Sequence, residues 1–418
     1  MESNLIFDCF PSSEELLSQY SESEGTTIDI NAHIHTPYSF SAFQSIKQAV
    51  SLAKEEGVQV LGINDFNVTD GYLEFAKECL QANIFPLFNI EFIGLVKEFQ
   101  KENIKVNDPN NPGRIYLSGK GLSSYPSLNS RIQDRISAAL KSGESQITEM
   151  INKMNVLLYF INPDFHFSLE EIRARFAKNL IRERHIARAV RVKAEEVCPN
   201  PKDRIIFYEK LFGKLPKSSL NDSASLENEI RSNLLKAGGK AFVPEDRNAF
   251  ISVEEFKEIV NDAGGIPVYP VLLDDMNGNF TDFENSKEGL LTGLLSFGIC
   301  NVEFIPARND IKILTGYVRY FYENGFSVTF GTEHNTPDLI PLKVYCRGKA
   351  ALDEYLREIN YKGACVLAAH QFLTALGNEG YQNKDGFPSG RKRNEFEKLG
   401  AAVLDFYFNK KTKPDLDA

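Results

Sequence analysis

Two histidines one residue apart, His33 and His35, close a run at residues 27–35 whose alternation reads as a strand. Thr27, Asp29, Asn31, His33 and His35 share one face, and Ile28, Ile30, Ala32 and Ile34 share the other. Two imidazoles on the same side of one strand sit about 7 Å apart at the backbone, close enough to converge on a single ion. A hydrogen-bonded surface pair is the alternative reading of the same spacing.

Further groups able to hold a metal or an anion stand at the ends of later apolar runs. Residues 58–63 lead into Asn64 and Asp65, residues 84–90 into Glu91, and residues 326–330 into Gly331, Thr332, Glu333 and His334. Amphipathic segments of helical period, at 43–56 and 70–82, lie between the first of these runs. Strand, helix, strand with chemistry at the strand C-termini is the arrangement of a parallel barrel, whose function gathers on that one face. A carboxylate at a strand end also caps a following helix, so Asp65 and Glu91 each have a structural reading as well.

The 418 residues suffice for one large barrel with additions. Apolar content of 42% and charged content of 25% are those of a globular protein. A formal net charge of −10 argues against binding a nucleic-acid duplex, which calls for a basic face. It leaves room for a small anionic substrate, because a metal and a few basic side chains can oppose the global sign locally. The six cysteines are scattered with no C-x-x-C pair, so neither a disulfide framework nor a zinc knuckle is expected. The first residues lack a basic start followed by an apolar core, and no apolar run approaches the roughly 18 residues of a membrane span. A cytoplasmic protein with no membrane partner is the expectation.

Seven strands are predicted, near 28–35, 58–64, 84–91, 156–161, 266–271, 299–305 and 326–332. Residues 1–25 read as a loosely held lead-in, and 97–128 as a Pro/Gly/Asn-rich loop of the kind that forms lids. Residues 168–197 read as one arginine-rich helix with a solvated face. Ser252 with Glu255 opens another helix as a capping box.

These motifs resemble the PHP family, the polymerase and histidinol-phosphatase domains, over roughly residues 26–345. The resemblance rests on the His-x-His strand at 33–35, Asn64-Asp65-Phe66 as a T-D-H-like end, and Asn89-Ile90-Glu91 as a G-x-E-like end. The helix running into residues 263–268 and the G-S-D-x-H-like run Gly331-Thr332-Glu333-His334 complete it. It implies an α/β fold, a distorted seven-stranded (β/α)7 barrel, with a helical insertion at about 165–245 and a helical C-terminal extension at 346–418. It also implies a metal site drawn from His33, His35, Glu91, Glu333 and His334, with the reach of Glu333 against His334 left open because the run is one residue short. Asp65 is either a ligand or a hydrogen-bond acceptor for a histidine.

The family's T-D-H histidine is Phe66 here, the histidine of its A-H-P motif is replaced with Tyr269 ahead of Pro270, and Phe40 or Ser41 stands for an acidic residue after His-x-His. The surviving ligands match the set around one ion, so a single zinc, manganese or iron is expected. The expected activity is hydrolysis of a small anionic ester, foremost a sugar- or nucleotide-type phosphate, by metal-bound hydroxide. Asp65, Lys120 and Arg308 are the expected catalytic groups. Lys120, in a glycine-flanked stretch, and Arg308 would hold the anion, with Tyr269 also facing substrate. The alternative is a degenerate barrel that keeps the fold and binds a ligand or partner.

Overall fold

The computed structural model describes residues 6–21, 28–123, 129–382 and 392–409. Thr27 and the rest of 22–27 lie outside them. Strands β1 (Asp29–Ile34), β2 (Val58–Phe66), β3 (Phe85–Leu95), β4 (Arg114–Lys120), β5 (Ile266–Val271), β6 (Asn301–Phe304) and β7 (Ser327–Phe330) form one sheet in chain order. Neighbours are parallel except β4, which runs antiparallel to both β3 and β5. Residues just past β7 bring its end back to β1. The Thr332 and Glu333 amides donate to the His33 carbonyl at 3.1 and 2.9 Å, and the His35 amide donates to the Glu333 carbonyl at 2.7 Å. The result is a nearly closed, distorted seven-stranded barrel, as the sequence predicts.

The count of seven is right for a partly wrong reason. Residues 156–161 are not a strand; 156–159 finish α5 (Ser130–Tyr159) and 160–161 turn away from its end. Helical spacing wins over local β-propensity there, since Ile147, Met150, Ile151, Met154 and Leu158 line one buried stripe while Val156 and Phe160 are exposed. The missing strand is β4, inside what reads as a lid loop. Its flanking Pro, Gly and Asn residues hide an alternation in which Ile115 and Leu117 face the helices and Tyr116, Ser118 and Lys120 turn toward the barrel interior.

Helices α2 (Ile46–Glu55) and α3 (Tyr72–Ala82) connect the first three strands, as predicted. Ser45 caps α2, which buries Ile46, Ala49, Val50 and Ala53 at helical spacing. The short α4 (Lys97–Lys101) follows β3. After α5 come α6 (Leu169–Phe176), α7 (Glu183–Val197), α8 (Pro201–Phe212), α9 (Ser223–Ile230) and a π-helical turn, Arg231–Leu235. These pack around a second core that includes Ile151, Phe165, Val190, Tyr208 and Leu234. The expected single helix over 168–197 is thus two, broken after Phe176. Its arginines are largely paired, with Arg188 and Arg191 both on the buried Glu227, so a freely solvated face is not what forms.

The Ser252–Glu255 capping box opens α10 (Val253–Asp262), and α11 (Lys287–Ser296) and α12 (Ile311–Glu323) flank β6. The N-terminal segment is held more firmly than its composition suggests. It contains α1 (Ser13–Gln19), started by a Ser12–Glu15 capping box, and buries Ile6, Phe7 and Leu16 in the barrel's core.

The C-terminal helices α13 (Glu354–Ala375) and α14 (Arg393–Asn409) belong to that same core. Glycines permit the approach: a Cβ on Gly363 would stand 1.9 Å from the Val328 carbonyl of β7, and one on Gly400 would stand 1.8 Å from the Cys365 carbonyl of α13. Since backbone cannot yield as a side-chain tip can, Gly363→Ala and Gly400→Ala should each destabilise the fold by about 1–3 kcal/mol or more. Chemical denaturation measures this, and wild-type midpoints in both variants would refute such close packing.

Outside the site, His185 and His370 are buried and neutral. The Arg182 amide donates to His185 Nδ1 at 2.9 Å, while His370 Nε2–H donates to the Gly264 carbonyl at 2.8 Å and its Nδ1 accepts from the Tyr381 amide. Burial depresses them to about 3 and about 4. The unfolded chain therefore takes up protons first, near pH 6.5, and stability should fall from there toward pH 4 by up to about 1.4 kcal/mol per pH unit for each histidine. His370→Gln, which retains a donor and an acceptor, should flatten the dependence of melting temperature on pH between 6.5 and 4.5. An unchanged slope would show that His370 is not held neutral.

Candidate metal centre

At the C-terminal mouth of β1 and β3 the side chains of His33, His35 and Glu91 converge, all three buried. His33 Nε2 lies 3.2 Å from His35 Nε2, and Glu91 Oε2 lies 3.1 Å from His35 Nε2 and 3.9 Å from His33 Nε2. Each imidazole is oriented by what its other nitrogen meets. His33 Nδ1–H donates to Glu303 Oε2 at 2.7 Å. His35 Nδ1–H faces Ser39 Oγ at 3.3 Å, and that hydroxyl donates to Asp65 Oδ1 at 2.6 Å. Both Nε2 atoms are thereby left as lone-pair donors pointing at one another and at a carboxylate.

Such a meeting of donors is costly without a cation. Glu91 Oε2 is buried with no hydrogen-bond partner. Burial pushes the Glu91 carboxyl well above the carboxylate range, with Glu333 and Glu303 adding to the effect. Burial likewise holds His33 well below its ordinary value and His35 at about 4. Orphaned oxygen, neutral imidazoles and locked tautomers are a donor set suited to a divalent ion.

Beneath these ligands lies the pair that fixes them. Lys120 is not in a loop; it ends β4, fully buried, with Nζ donating to Glu303 Oε1 at 2.5 Å and to the Ala32 carbonyl at 3.0 Å. Its charge is committed inside the barrel, so the expected role as an anion clamp is corrected. Burial draws Lys120 down and Glu303 up, each opposed by the other's charge. Gly62 makes this possible, since a Cβ there would stand 2.4 Å from the Ala32 oxygen that Lys120 and Asn89 share.

Asp65 is the acceptor rather than a ligand. Its two oxygens take the Thr36 amide at 2.7 Å, the Thr36 hydroxyl at 2.5 Å and the Ser39 hydroxyl, so both are committed to the loop after β1. His334 is corrected as well. Glu333 and His334 adopt consecutive left-handed conformations, with φ of 65° and 58°, which turn the ring away. His334 Nε2 meets the Ile340 carbonyl at 2.9 Å, its Nδ1 meets Thr332 Oγ1 at 2.8 Å, and the ring stacks on Phe43. Glu333 faces the site, where Arg308 and Asn335 hold it. Burial raises its carboxyl, but Arg308 and the two histidines outweigh that and leave it below the ordinary value.

Tyr269 faces elsewhere. It is buried with its hydroxyl donating to Glu284 Oε1 at 2.7 Å, in a network that also satisfies the Leu272 and Leu273 amides. No substrate contact follows from that position. Phe66 does stand beside the ligands, its ring stacked on His35 at 4.6 Å between centroids. Phe40 lies under Arg188 and Arg184, and Ser41 donates to the His35 carbonyl.

A cleft of about 300 Å³ opens the site outward, lined by Glu91, Glu333 and Arg308 from the barrel and by residues of the helical insertion. The sequence reading missed Glu303 and Ser39, and it placed Asn64 at the site without a partner. Asn64 Nδ2 reaches His33 Nε2 at 2.9 Å, so an ion and this amide compete for one lone pair. Glu303 had a signal, a lone carboxylate in the middle of the apolar run 299–305.

Lys120→Met should leave Glu303 as an unpaired buried charge and cost about 3–5 kcal/mol. Lys120→Met combined with Glu303→Gln should recover part of that loss while binding a divalent ion about 10–100-fold more weakly than wild type. A double variant no more stable than the single one would show that the two side chains are not coupled.

Residues 31–182 match the family model of the PHP domain. Among solved structures, a candidate metal-dependent phosphoesterase from Bifidobacterium adolescentis superposes with a TM-score of 0.51 at 17% identity, covering 80% of this chain and 96% of the other. An amidohydrolase from Chromobacterium violaceum, solved with bound sulfate and no metal, gives 0.48 at 16% identity, covering 79% and 95%. The first likeness is one of fold. No curated protein matches the chain.

Proposed function

We propose that this chain, whose residues 31–182 are a PHP domain, is a metal-dependent hydrolase of a small anionic ester, foremost a phosphomonoester or phosphodiester of a sugar or nucleotide. The observation that carries the reading is the orphaned Glu91 oxygen facing two imidazole lone pairs whose far nitrogens are already anchored. His33, His35 and Glu91 would hold the ion, with Glu333 at the edge of the set. Zinc, manganese and iron all suit these donors.

One ion rather than two or three is supported by Phe66, which covers the face of His35, and by His334, which turns to the Ile340 carbonyl. A divalent cation in such a site supplies Lewis acidity and lowers the pKa of water.

The chain's own residues do the rest. Glu303 and the Ser39–Asp65 pair fix which nitrogen of each histidine carries its proton. Arg308, partly exposed at the cleft and paired with Glu333, would take an anionic oxygen of the ester by exchanging Glu333 for substrate. Phe66, buried and stacked on His35, would keep water from that face of the imidazole. On this reading the partner would be a small anion rather than a nucleic-acid duplex, in keeping with the net charge of −10.

Elemental analysis of the purified chain should find about one divalent transition metal per chain, lost on chelation together with several degrees of melting temperature. A phosphoester panel supplied with manganese, zinc or iron in turn should show turnover that His33→Ala and Glu91→Ala reduce by about 100-fold or more. Equal background rates in all three proteins with every metal would leave a ligand-binding barrel as the better account.

A further inference from the structure

A second cavity, of about 970 Å³, opens at the end of the barrel away from the metal centre. The last turns of α10 and α13 meet there beside Gly264 and Gly265, which lead into the first residue of β5. Because β4 is antiparallel to both β3 and β5, the start of β5 lies opposite the strand ends where His33, His35 and Glu91 converge. The volume is that of a small-molecule site.

The walls of this cavity carry acceptors that nothing satisfies. Gln382 is only 6% exposed, lines the cavity, and has its Oε1 buried with no hydrogen-bond partner among the described residues. Asn261 Oδ1, in the last turn of α10, is buried and unpartnered in the same way. Native structures satisfy nearly all such oxygens, so two around one cavity call for a donor from outside. Two helix dipoles add their negative ends, and neither α10 nor α13 carries a basic residue in its last turn to answer its own. The donors nearby are already taken. Arg131 pairs with Glu258, and the Asn129 amide at the start of α5 donates to Asp262 Oδ2 at 2.7 Å. His370, at the floor, is committed at both nitrogens. Glu379, exposed at the rim, adds a carboxylate.

We propose that this cavity binds a small organic cation with two or more ammonium groups, a diamine or polyamine. An ammonium offers three donors and no acceptor, which is what orphaned amide oxygens and helix C-termini take. A metal ion fits less well. Among the described residues the side chains that converge within 4.8 Å as a metal site are His33, His35 and Glu91, so the carboxylates of this cavity stand apart from one another. Charges spaced along an aliphatic chain match that spread. A neutral polyol would bring further acceptors to a wall that already has an excess of them. The site is independent of the hydrolase reading, since it shares no residue with the metal centre.

Calorimetric titration of the full chain with putrescine and spermidine tests this, with 1,4-butanediol as an uncharged probe of putrescine's length. Wild type should bind both amines, and the diol at least about tenfold more weakly. Gln382→Met and Asn261→Leu should each weaken putrescine about tenfold, because each removes an acceptor of a charge-assisted hydrogen bond. Without ligand both should melt no lower than wild type, since the oxygen removed has no partner to lose. Glu379→Gln, at the exposed rim, should weaken putrescine about threefold, and it carries the test if the buried variants fold poorly. Glu91→Gln should bind putrescine as wild type does; a loss there would place the amine at the barrel mouth and overturn the site. So would absence of amine binding in wild type, equal binding by wild type and the three cavity variants, or a diol that binds as tightly as the diamine.

Discussion

Everything at the mouth of this barrel depends on one buried charge pair. Lys120 and Glu303 come from strands that are not neighbours, β4 and β6, and meet across the barrel interior at 2.5 Å without access to solvent. Two charges so enclosed must satisfy each other and find further partners. Lys120 finds the Ala32 carbonyl, on the residue before His33, and Glu303 finds His33 itself. A single ionic contact thereby ties three strands together and sets the tautomer of an imidazole. The buried pair thereby fixes His33 with its Nε2 lone pair toward the cluster, where Asn64 Nδ2 meets it at 2.9 Å.

The barrel and the ligand cluster are also joined at the seam. The bonds that bring β7 back to β1 are made by the backbones of His33, Thr332, Glu333 and His35. These are the residues whose side chains face the site or stand next to it. The left-handed pair at Glu333 and His334 follows from that closure, because the chain must turn sharply to donate to His33 and accept from His35 in two successive residues. Local strain of this kind persists only where surrounding bonds over-determine it. Here they do, and the turn decides which of two adjacent side chains looks inward.

Much of this was legible in the sequence. His33 and His35 share a strand face, and Glu91 ends an apolar run; periodicity alone places them together, and Arg308 follows the same logic after β6. What escaped has specific causes. The strand β4 was hidden because its neighbours are turn-forming residues, and with it went the true environment of Lys120. Glu303 was invisible as a participant because a carboxylate in an apolar run declares no partner until the strand across the barrel is known. His334 and Tyr269 were misassigned because a motif fixes residue order but not the backbone angle that aims a side chain. Residues 156–161 misled because six residues cannot distinguish a short strand from the last turns of a long helix. The helical stripe that settles the matter begins well upstream, at Ile147.

The helical insertion has its own hydrophobic core, with no residue in common with the core that the strands, α1, α13 and α14 share. Substitutions in separate cores tend to add without coupling. The wall that faces the ligands is therefore mounted on a module whose repacking scarcely registers in the barrel. Selection can exchange the chemistry of that wall, from cationic to neutral or from narrow to wide, while the ligand-bearing strands stay as they are. In such a molecule the barrel with its ligand cluster is the conservative half and the insertion is the adaptable one, so descendants of this chain should diverge in the lining of the cleft well before they diverge in the cluster beneath it.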